Sequence, residues 1–215
     1  MLKKLKPFAA AAAAALSLNT FAAVDMFLKL DGIEGESRDK THAKEIDVLA
    51  WSWGMSQSGT LHVGGGGGGG AGKANFQDIS VTKWVDKSSV PLMQYLATSQ
   101  YINEATLVVR HAGSEPYESE EIVMHKVIVT SVSTGGSGGE DKLTENITLN
   151  FEAFCITYTQ QGEGGKAGEE SKLCWNIAAN NTCSVAQVGA LFELPLVKAL
   201  PRQLINGLNP ICSNT

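Results

Sequence analysis

The chain has 215 residues, which is long enough for one domain with a full hydrophobic core. Its hydrophobic content of 43% and charged content of 18% are ordinary for a globular protein. The formal net charge of −5 argues against nucleic acid as the main partner, because nucleic-acid binding needs a basic surface.

The N-terminal residues differ in kind from the rest of the chain. Three lysines within the first six residues precede an alanine-rich apolar run at residues 8–18, and Thr20, Ala22 and Ala23 then offer small-residue positions for cleavage after Ala22 or Ala23. This pattern is typical of a secretory signal peptide, with an uncleaved start as the alternative. No later segment approaches the ~18 apolar residues of a membrane span, so no stable membrane insertion is expected. We therefore predict a signal peptide at 1–23, a main domain at 24–180 and a C-terminal extension at 181–215.

Residues 25–54 predict two strands joined by a long charged loop. The first strand alternates apolar and polar side chains from Met26 to Leu30, as a half-buried strand does. The return strand carries apolar residues on both predicted faces: Ile46, Val48 and Ala50 on one, and Leu49, Trp51 and Trp53 on the other. Such a strand is expected to be covered on both sides, on one of them by another subunit. The loop between them is too polar to pack and is expected to carry function.

A run of seven glycines at residues 64–70 predicts a flexible loop. Residues 67–73 match the phosphate-binding pattern G-x-x-x-x-G-K, but Ala74 stands where a magnesium-binding Ser or Thr is needed. Residues 75–86 also read as a strand, whereas a phosphate site requires a helix N-terminus. We therefore expect no nucleotide site.

The remaining pattern predicts one helix and several strands. The helix is expected at residues 88–100, and strands are expected at 105–111, 121–132, 143–158 and 172–177. Together they predict a mainly β protein, an antiparallel barrel or sandwich with one helix. The strand at 143–158 becomes apolar on its second face at Phe154, Ile156 and Tyr158. Cover by another subunit and cover from within the chain explain this equally well.

No pattern in the sequence predicts catalysis, a cofactor or a metal site. The chain lacks G-x-S-x-G and H-E-x-x-H, and its histidines are scattered singly. In an exported protein the cysteines allow two disulfides in three pairings among Cys155, Cys174, Cys183 and Cys212. These features favour a structural or binding protein over an enzyme.

Several long segments resemble one known family. They include VDMFLKLDGIEGES, EIDVLAWSWG, VRHAG, VIVTSVSTGGSGGEDKLTENITLNF and CWNIAAN, in that order between residues 24 and 180. The resemblance is to the haemolysin-coregulated protein (Hcp) family, the tube proteins of the bacterial type VI secretion system. It implies a two-sheet antiparallel β-barrel with one short α-helix, assembled as a homohexameric ring. Stacked rings of this family carry a spike protein and small effectors outward without catalysis, and family members are found outside the cell.

The resemblance also implies two contact surfaces. The loop between the first two strands takes part in ring-to-ring contact in this family, which maps here to residues 35–44. We expect the ring-stacking residues to be Ser37, Arg38, Asp39, Lys40 and His42. We expect the subunit interface to comprise Leu49, Trp51, Trp53, Phe154, Ile156 and Tyr158.

Two features depart from the family pattern, the signal-like N-terminus and the extension after residue 180. They leave two hypotheses, a tube subunit assembled in the cytoplasm and secreted, or an exported Hcp-like ring protein that acts as a periplasmic or extracellular binding or adhesin-like module. The site of N-terminal processing separates them.

Overall fold

The computed structural model describes residues 24–58, 73–112, 115–139 and 141–183. This part of the chain forms ten strands and one α-helix. The elements are β1 (Val24–Leu30), β2 (Ile46–Ser52), β3 (Met55–Ser56), β4 (Asn75–Phe76), β5 (Ile79–Trp84), α1 (Ser89–Thr98), β6 (Ile102–His111), β7 (Tyr117–Thr134), β8 (Thr144–Gln161), β9 (Ala167–Asn176) and β10 (Asn181–Thr182).

The main sheet closes on itself. Its hydrogen-bonded order is β10-β9-β8-β5-β2-β1-β6-β7, and a further pairing of β7 with β8 joins the two sides. Strand β8 pairs with β5 through residues 144–149 and with β9 through residues 153–161. The barrel therefore has six strands, β9 and β10 extend it, and β3 with β4 makes a separate two-stranded sheet. The predicted antiparallel β-barrel with one helix is confirmed.

The barrel core follows the alternation of the strands. Leu28, Ile79, Leu107 and Leu149 point inward and are fully buried, as expected for period-2 apolar positions. The helix covers one opening with Leu92, which is also fully buried. Within the described residues, none of the helical segments combines the length and the apolar character that crossing a membrane requires.

A buried ion pair lies where the helix meets the barrel. Lys83 on β5 and Glu145 on β8 are 0% and 1% exposed, and Lys83 Nζ donates to Glu145 Oε1 at 2.6 Å. Lys83 Nζ also donates to Asp86 Oδ1 at 2.8 Å and to the Trp84 carbonyl at 2.7 Å. Ser89, the first residue of the helix, donates to Glu145 Oε1 at 2.7 Å. The network connects two strands to the start of the helix, and it satisfies the lysine in an environment where an unpaired charge is very costly.

A bulge in β2 changes the predicted faces of that strand. Val48 pairs with Lys83 and Ala50 with Thr82, so Leu49 is an extra residue in the ladder. Past the bulge the alternation is shifted, because one inserted residue reverses the side to which later residues point. Trp51 therefore packs against the core instead of facing outward with Leu49.

Strand β8 also changes face along its length. Core contacts come from Ile147, Leu149 and Phe151, and then from Phe154, a step of three residues. The partner strand makes the same step between Met124 and Val127, where Lys126 has a positive φ of 52°. The two long strands therefore reverse their faces together as they bend around the barrel.

This reversal corrects one predicted interface residue. Phe154 is 0% exposed and has its ring centroid 4.7 Å from that of Trp53 and 5.7 Å from that of Phe76. The chain itself covers this side chain, through β4 and the residue after β2. Phe154 is therefore a core residue and offers no surface to a neighbouring subunit.

Most predicted elements agree with the structure apart from the positions of their ends, and one predicted strand is divided. The expected strand at 75–86 is divided into β4 and β5, and the strands at 121–132 and 172–177 begin earlier, at Tyr117 and Ala167. The predicted signal peptide, the glycine run at 64–70, most of the C-terminal extension and Cys212 lie outside the described residues.

Candidate functional site

The loop between β1 and β2, residues 31–45, has a defined shape held by its own backbone. Gly35 N donates to the Lys44 carbonyl at 2.7 Å, and Ser37 N donates to the Glu45 carbonyl at 2.9 Å. A Cβ atom at Gly35 would lie 2.2 Å from the Glu45 carbonyl oxygen, so only glycine fits this crossing. We call residues 31–45 the β1–β2 loop.

Asp39 and Arg110 fasten the β1–β2 loop to the barrel wall. Arg110, near the end of β6, donates from Nη1 and Nη2 to the two carboxylate oxygens of Asp39, at 3.0 and 2.6 Å. Asp39 Oδ1 also accepts from the backbone amides of Thr41 and His42. The hydrogen bonds from Arg110 hold the pKa of Asp39 well below its usual range. Arg110 Nη2 donates to Asp25 as well, at 3.0 Å, so the guanidinium connects β1, β6 and the loop.

His42 packs beneath the loop. It is 6% exposed, and its ring lies parallel to that of Phe27 with centroids 4.3 Å apart. Its Nδ1 is 2.9 Å from Glu45 Oε2, and its Nε2 faces Glu118 Oε1 of β7 at 3.5 Å. The loop therefore covers the outer side of β1 at Phe27, which is 4% exposed.

A second set of ion pairs joins the loop to the residues before the helix. Glu34 accepts from Lys87 Nζ at 2.8 Å and from Lys44 Nζ at 3.2 Å, and Glu36 accepts from the Lys87 amide. Hydrogen bonding to Lys87 is the main reason that the pKa of Glu34 is lowered. These ion pairs lie at the surface, so they orient the loop more than they stabilise the folded chain.

The five predicted ring-stacking residues divide into two groups. Arg38 and Lys40 are exposed to solvent, whereas Ser37 and His42 are buried at 6% exposure. Asp39 is partly buried and paired with Arg110. Ser37, Asp39 and His42 therefore lie inside the loop and hold its shape, and their role in ring-to-ring contact stays a prediction. Arg38 and Lys40 stay predicted contacts.

The predicted subunit-interface residues also divide. Leu49 and Tyr158 are 37% and 53% exposed, and Ile156 is partly buried. Trp51 and Trp53 pack on the core, and Trp53 Nε1 donates to the Gln77 carbonyl at 2.9 Å. Ile156 pairs with Leu173 of β9, which is 41% exposed. The exposed apolar side chains of this set are thus Leu49 in one place and Tyr158 and Leu173 in another. Ile156 lies beside the second pair but is partly buried and packs against the core.

One disulfide is present in the described part of the chain. It joins Cys155 on β8 to Cys174, the residue directly opposite on β9. This bond is one of those that the sequence leaves open, and Cys212 lies outside the described residues. The backbone amide of Cys183 donates to the Cys174 carbonyl at 3.2 Å.

An open cleft of about 400 Å³ lies beside the β1–β2 loop. Its lining includes Glu118, Glu121, Glu170 and Arg110. Burial, followed by repulsion from Glu118, raises the pKa of Glu121. Across the described ranges, no group of three or more His, Cys, Asp or Glu side chains is arranged to hold a metal ion.

Sequence reasoning missed Arg110, Lys87 and Glu118, the residues that fix the loop from outside it. The chain positions of these residues are distant from the loop, and no local motif connects them to it. Arg110 could be found only from the pairing of β1 with β6, which places it opposite Asp25.

Comparison with known proteins identifies relatives across most of the described chain. The family model described as type VI secretion system effector, Hcp, matches residues 27–158. The chain is 55% identical over 160 residues to protein hcp1 of Pseudomonas aeruginosa, covering 74% of this chain and 98% of that one. A solved structure of a type six secretion system protein is similar at a TM-score of 0.70 and 30% identity, covering 74% and 99%. Hcp1 from Salmonella typhimurium is similar at a TM-score of 0.62 and 33% identity, with the same coverage.

The closed antiparallel barrel with one helix is shared with these solved type VI secretion proteins. The chain belongs to the Hcp family of type VI secretion proteins.

Proposed function

We propose that this chain is a tube subunit of a type VI secretion system. Six copies close into a ring, rings stack into an inner tube, and the tube accommodates small effectors and a spike protein and is itself exported. Membership of the Hcp family supports this role. The observation that carries the stacking step is the β1–β2 loop, a charged surface loop held rigid by the barrel.

Ring closure needs two different patches on each subunit, because a cyclic assembly of more than two copies is made by head-to-tail contacts. The exposed Leu49 on β2 supplies one candidate patch. The exposed Tyr158 on β8 and Leu173 on β9, next to the partly buried Ile156, supply the other. Trp51 and Trp53 contribute indirectly, because they fix β2 against the core next to Leu49.

Ring stacking uses Arg38 and Lys40. Both are exposed, while Asp39 between them points back to Arg110. A loop that is already ordered loses little conformational entropy when it docks, which favours binding. Contacts between exposed charges are screened by salt, so stacking is expected to weaken as ionic strength rises.

The stacking experiment replaces Arg38 and Lys40 together by alanine and leaves Asp39 in place. Hexamers are expected by analytical ultracentrifugation, while electron microscopy is expected to show single rings in place of tubes. Lys29→Ala, which removes an exposed charge from β1, is the matched control. Tubes of ordinary length from the double variant would contradict the stacking role.

The ring experiment introduces a charge into each apolar patch. Leu49→Glu and Tyr158→Glu are each expected to yield folded monomers. Val90→Glu changes an apolar side chain that is 73% exposed on the helix and is expected to leave the ring intact. Intact hexamers from both patch variants would place the subunit contact elsewhere.

A second candidate function is an exported Hcp-like ring protein that acts as a binding or adhesin-like module. The signal-like pattern of residues 1–23 and the Cys155–Cys174 disulfide favour it, since disulfides persist in oxidising compartments. N-terminal sequencing of protein from cell fractions tests it. A mature start near Val24 with export that does not depend on the contractile sheath supports this candidate, and sheath-dependent export contradicts it.

A further inference from the structure

Strand β9 is attached to the barrel by its ladder with β8 and by its disulfide, but it buries few of its side chains. Its residues 167–173 are exposed, and burial begins only at Cys174, Trp175 and Asn176. One edge pairs with β8, while the other pairs, within the part of the chain that the structure describes, with the two residues of β10. A strand with so little buried surface belongs to the part of a structure that opens first.

The disulfide lies at the point where β9 leaves the barrel. Cys155 and Cys174 are 4% and 7% exposed, and directly opposite in the β8–β9 ladder. Toward the exposed end of β9, the next pair in the ladder is Ile156 with Leu173, and Tyr158 pairs with Ser171. Opening of β9 from this point would therefore uncover the edge of β8 and rearrange the apolar surface around Ile156 and Tyr158.

We propose that Cys155 and Cys174 form a redox-controlled clasp, open as two thiols in a reducing compartment and closed as a disulfide after export. The proposal rests on the export of this chain, since cytosolic thiol pools keep such pairs reduced and extracellular conditions do not. The open clasp leaves β9 able to separate from β8, and the closed clasp fixes it. The state of the clasp thus determines whether β8 presents a paired or an unpaired edge to another copy of the chain.

The chemistry of closure is a thiol–disulfide exchange with a small disulfide such as oxidised glutathione. One cysteine thiolate attacks a sulfur of the oxidant, forms a mixed disulfide and releases one glutathione thiolate. The second cysteine then attacks the protein sulfur and releases the other. The two cysteines together lose two protons and two electrons, and the oxidant is reduced to two thiols. Because both sulfur-bearing residues are buried, the exchange proceeds through local opening of β9.

The first test uses the purified full chain in reduced and oxidised glutathione buffers, with hydrogen exchange measured peptide by peptide. Reduction is expected to accelerate exchange of the slowest amides of β9 by about a hundredfold, on the scale typical of a short disulfide loop. The amides of β1 and β6 are expected to stay unchanged. Equal exchange in β9 in both states, or equal acceleration in β1 and β6, would overturn the proposal.

Paired variants assign the effect to the correct cysteines. Cys183→Ala with Cys212→Ala is expected to keep the full redox response of β9. Cys155→Ala with Cys174→Ala is expected to show the fast exchange in both buffers. The wild-type chain, analysed by disulfide peptide mapping, gives the same assignment independently of how either variant folds. A redox response that follows Cys183 and Cys212 instead would contradict the clasp.

The second test separates the clasp from the proposed function. Cells and culture medium are quenched with a thiol-alkylating maleimide, and the Cys155 and Cys174 peptides are compared by mass spectrometry. Alkylated thiols inside the cytoplasm and a disulfide outside are expected. A disulfide already present in the cytoplasmic pool would overturn the clasp and leave the tube role standing, whereas failure of the tube role appears as absence of rings by electron microscopy.

Discussion

Replacement of Asp39 by alanine is expected to loosen the β1–β2 loop without unfolding the barrel. Asp39 receives two charge-assisted hydrogen bonds from Arg110, at 3.0 and 2.6 Å, and two backbone amides of the loop. A hydrogen bond to a charged group contributes about 1.5–3 kcal/mol when buried. The Asp39 side chain is 23% exposed, and Arg110 retains Asp25 after the change, so we reduce the sum to about 2 kcal/mol.

The assay for Asp39→Ala is hydrogen exchange of residues 35–45. A loss of about 2 kcal/mol corresponds to exchange about thirtyfold faster. Asp31→Asn is the matched control, because Asp31 lies in the same loop but accepts only an exposed hydrogen bond from Asn103. Exchange in the loop that is unchanged by Asp39→Ala, or equally changed by the control, would refute the assignment of Asp39 as the residue that holds the loop.

The same residue predicts how the loop responds to acid. The pKa of Asp39 is depressed in the folded chain. Its contribution to the stability of the loop is therefore fully present above the ordinary carboxyl pKa of about 4, and it is lost only as the pH falls through the pKa that Asp39 has in the folded chain. The position of the loop is therefore expected to stay constant from pH 8 to pH 4, as followed by NMR shifts of the Thr41 and His42 amides.

Three further predictions concern the stability of the barrel. Glu145→Ala is expected to reduce the free energy of urea unfolding by about 3 kcal/mol, because it leaves Lys83 buried without its closest partner. A Lys83→Met, Glu145→Leu double variant should recover most of this loss. A loss below about 1 kcal/mol from Glu145→Ala would contradict the reasoning. Gly35→Ala is expected to cost about 2 kcal/mol or more in the same assay, whereas Gly138→Ala, where a Cβ meets nothing within 4 Å, should be close to neutral. Burial lowers the pKa of His125 to about 4. The free energy of unfolding should therefore fall by about 2 kcal/mol as the pH drops from about 6.5 to 4. A His125→Gln variant that loses as much stability over the same pH range would refute this cause.

Most of the fold could be predicted from local sequence patterns. The period-2 alternation in β1 and the β-branched residues of β6 and β7 mark strands wherever they lie, and the stripe around Leu92 marks the helix. The errors of face at Trp51 and Phe154 follow two different backbone irregularities. Trp51 follows Leu49, the extra residue in the β2–β5 ladder. Phe154 lies past the position opposite Lys126, whose φ is positive, in a stretch where the β7–β8 register itself is unbroken.

The candidate site could be predicted only in part, for a different reason. Charge and length pointed to the β1–β2 loop, but local pattern does not say which of its charges are paired within the chain. Arg38 and Asp39 are adjacent charged residues in the sequence, yet Asp39 is paired with Arg110 and Arg38 faces solvent. That difference arises from the β1–β6 pairing, a contact between segments about 80 residues apart.

The order of strands in the closed sheet also has a consequence for how the chain folds. The β7–β8 pair joins neighbouring segments of sequence, and 18-residue strands on both sides make it the longest ladder. Strand β5, in contrast, obtains its second neighbour only when residues 144–149 of β8 are available. Contacts between distant segments form slowly because the intervening chain must first be ordered. The first strands therefore emerge from the ribosome with an open edge, and the barrel can close only after the β7–β8 hairpin has been synthesised.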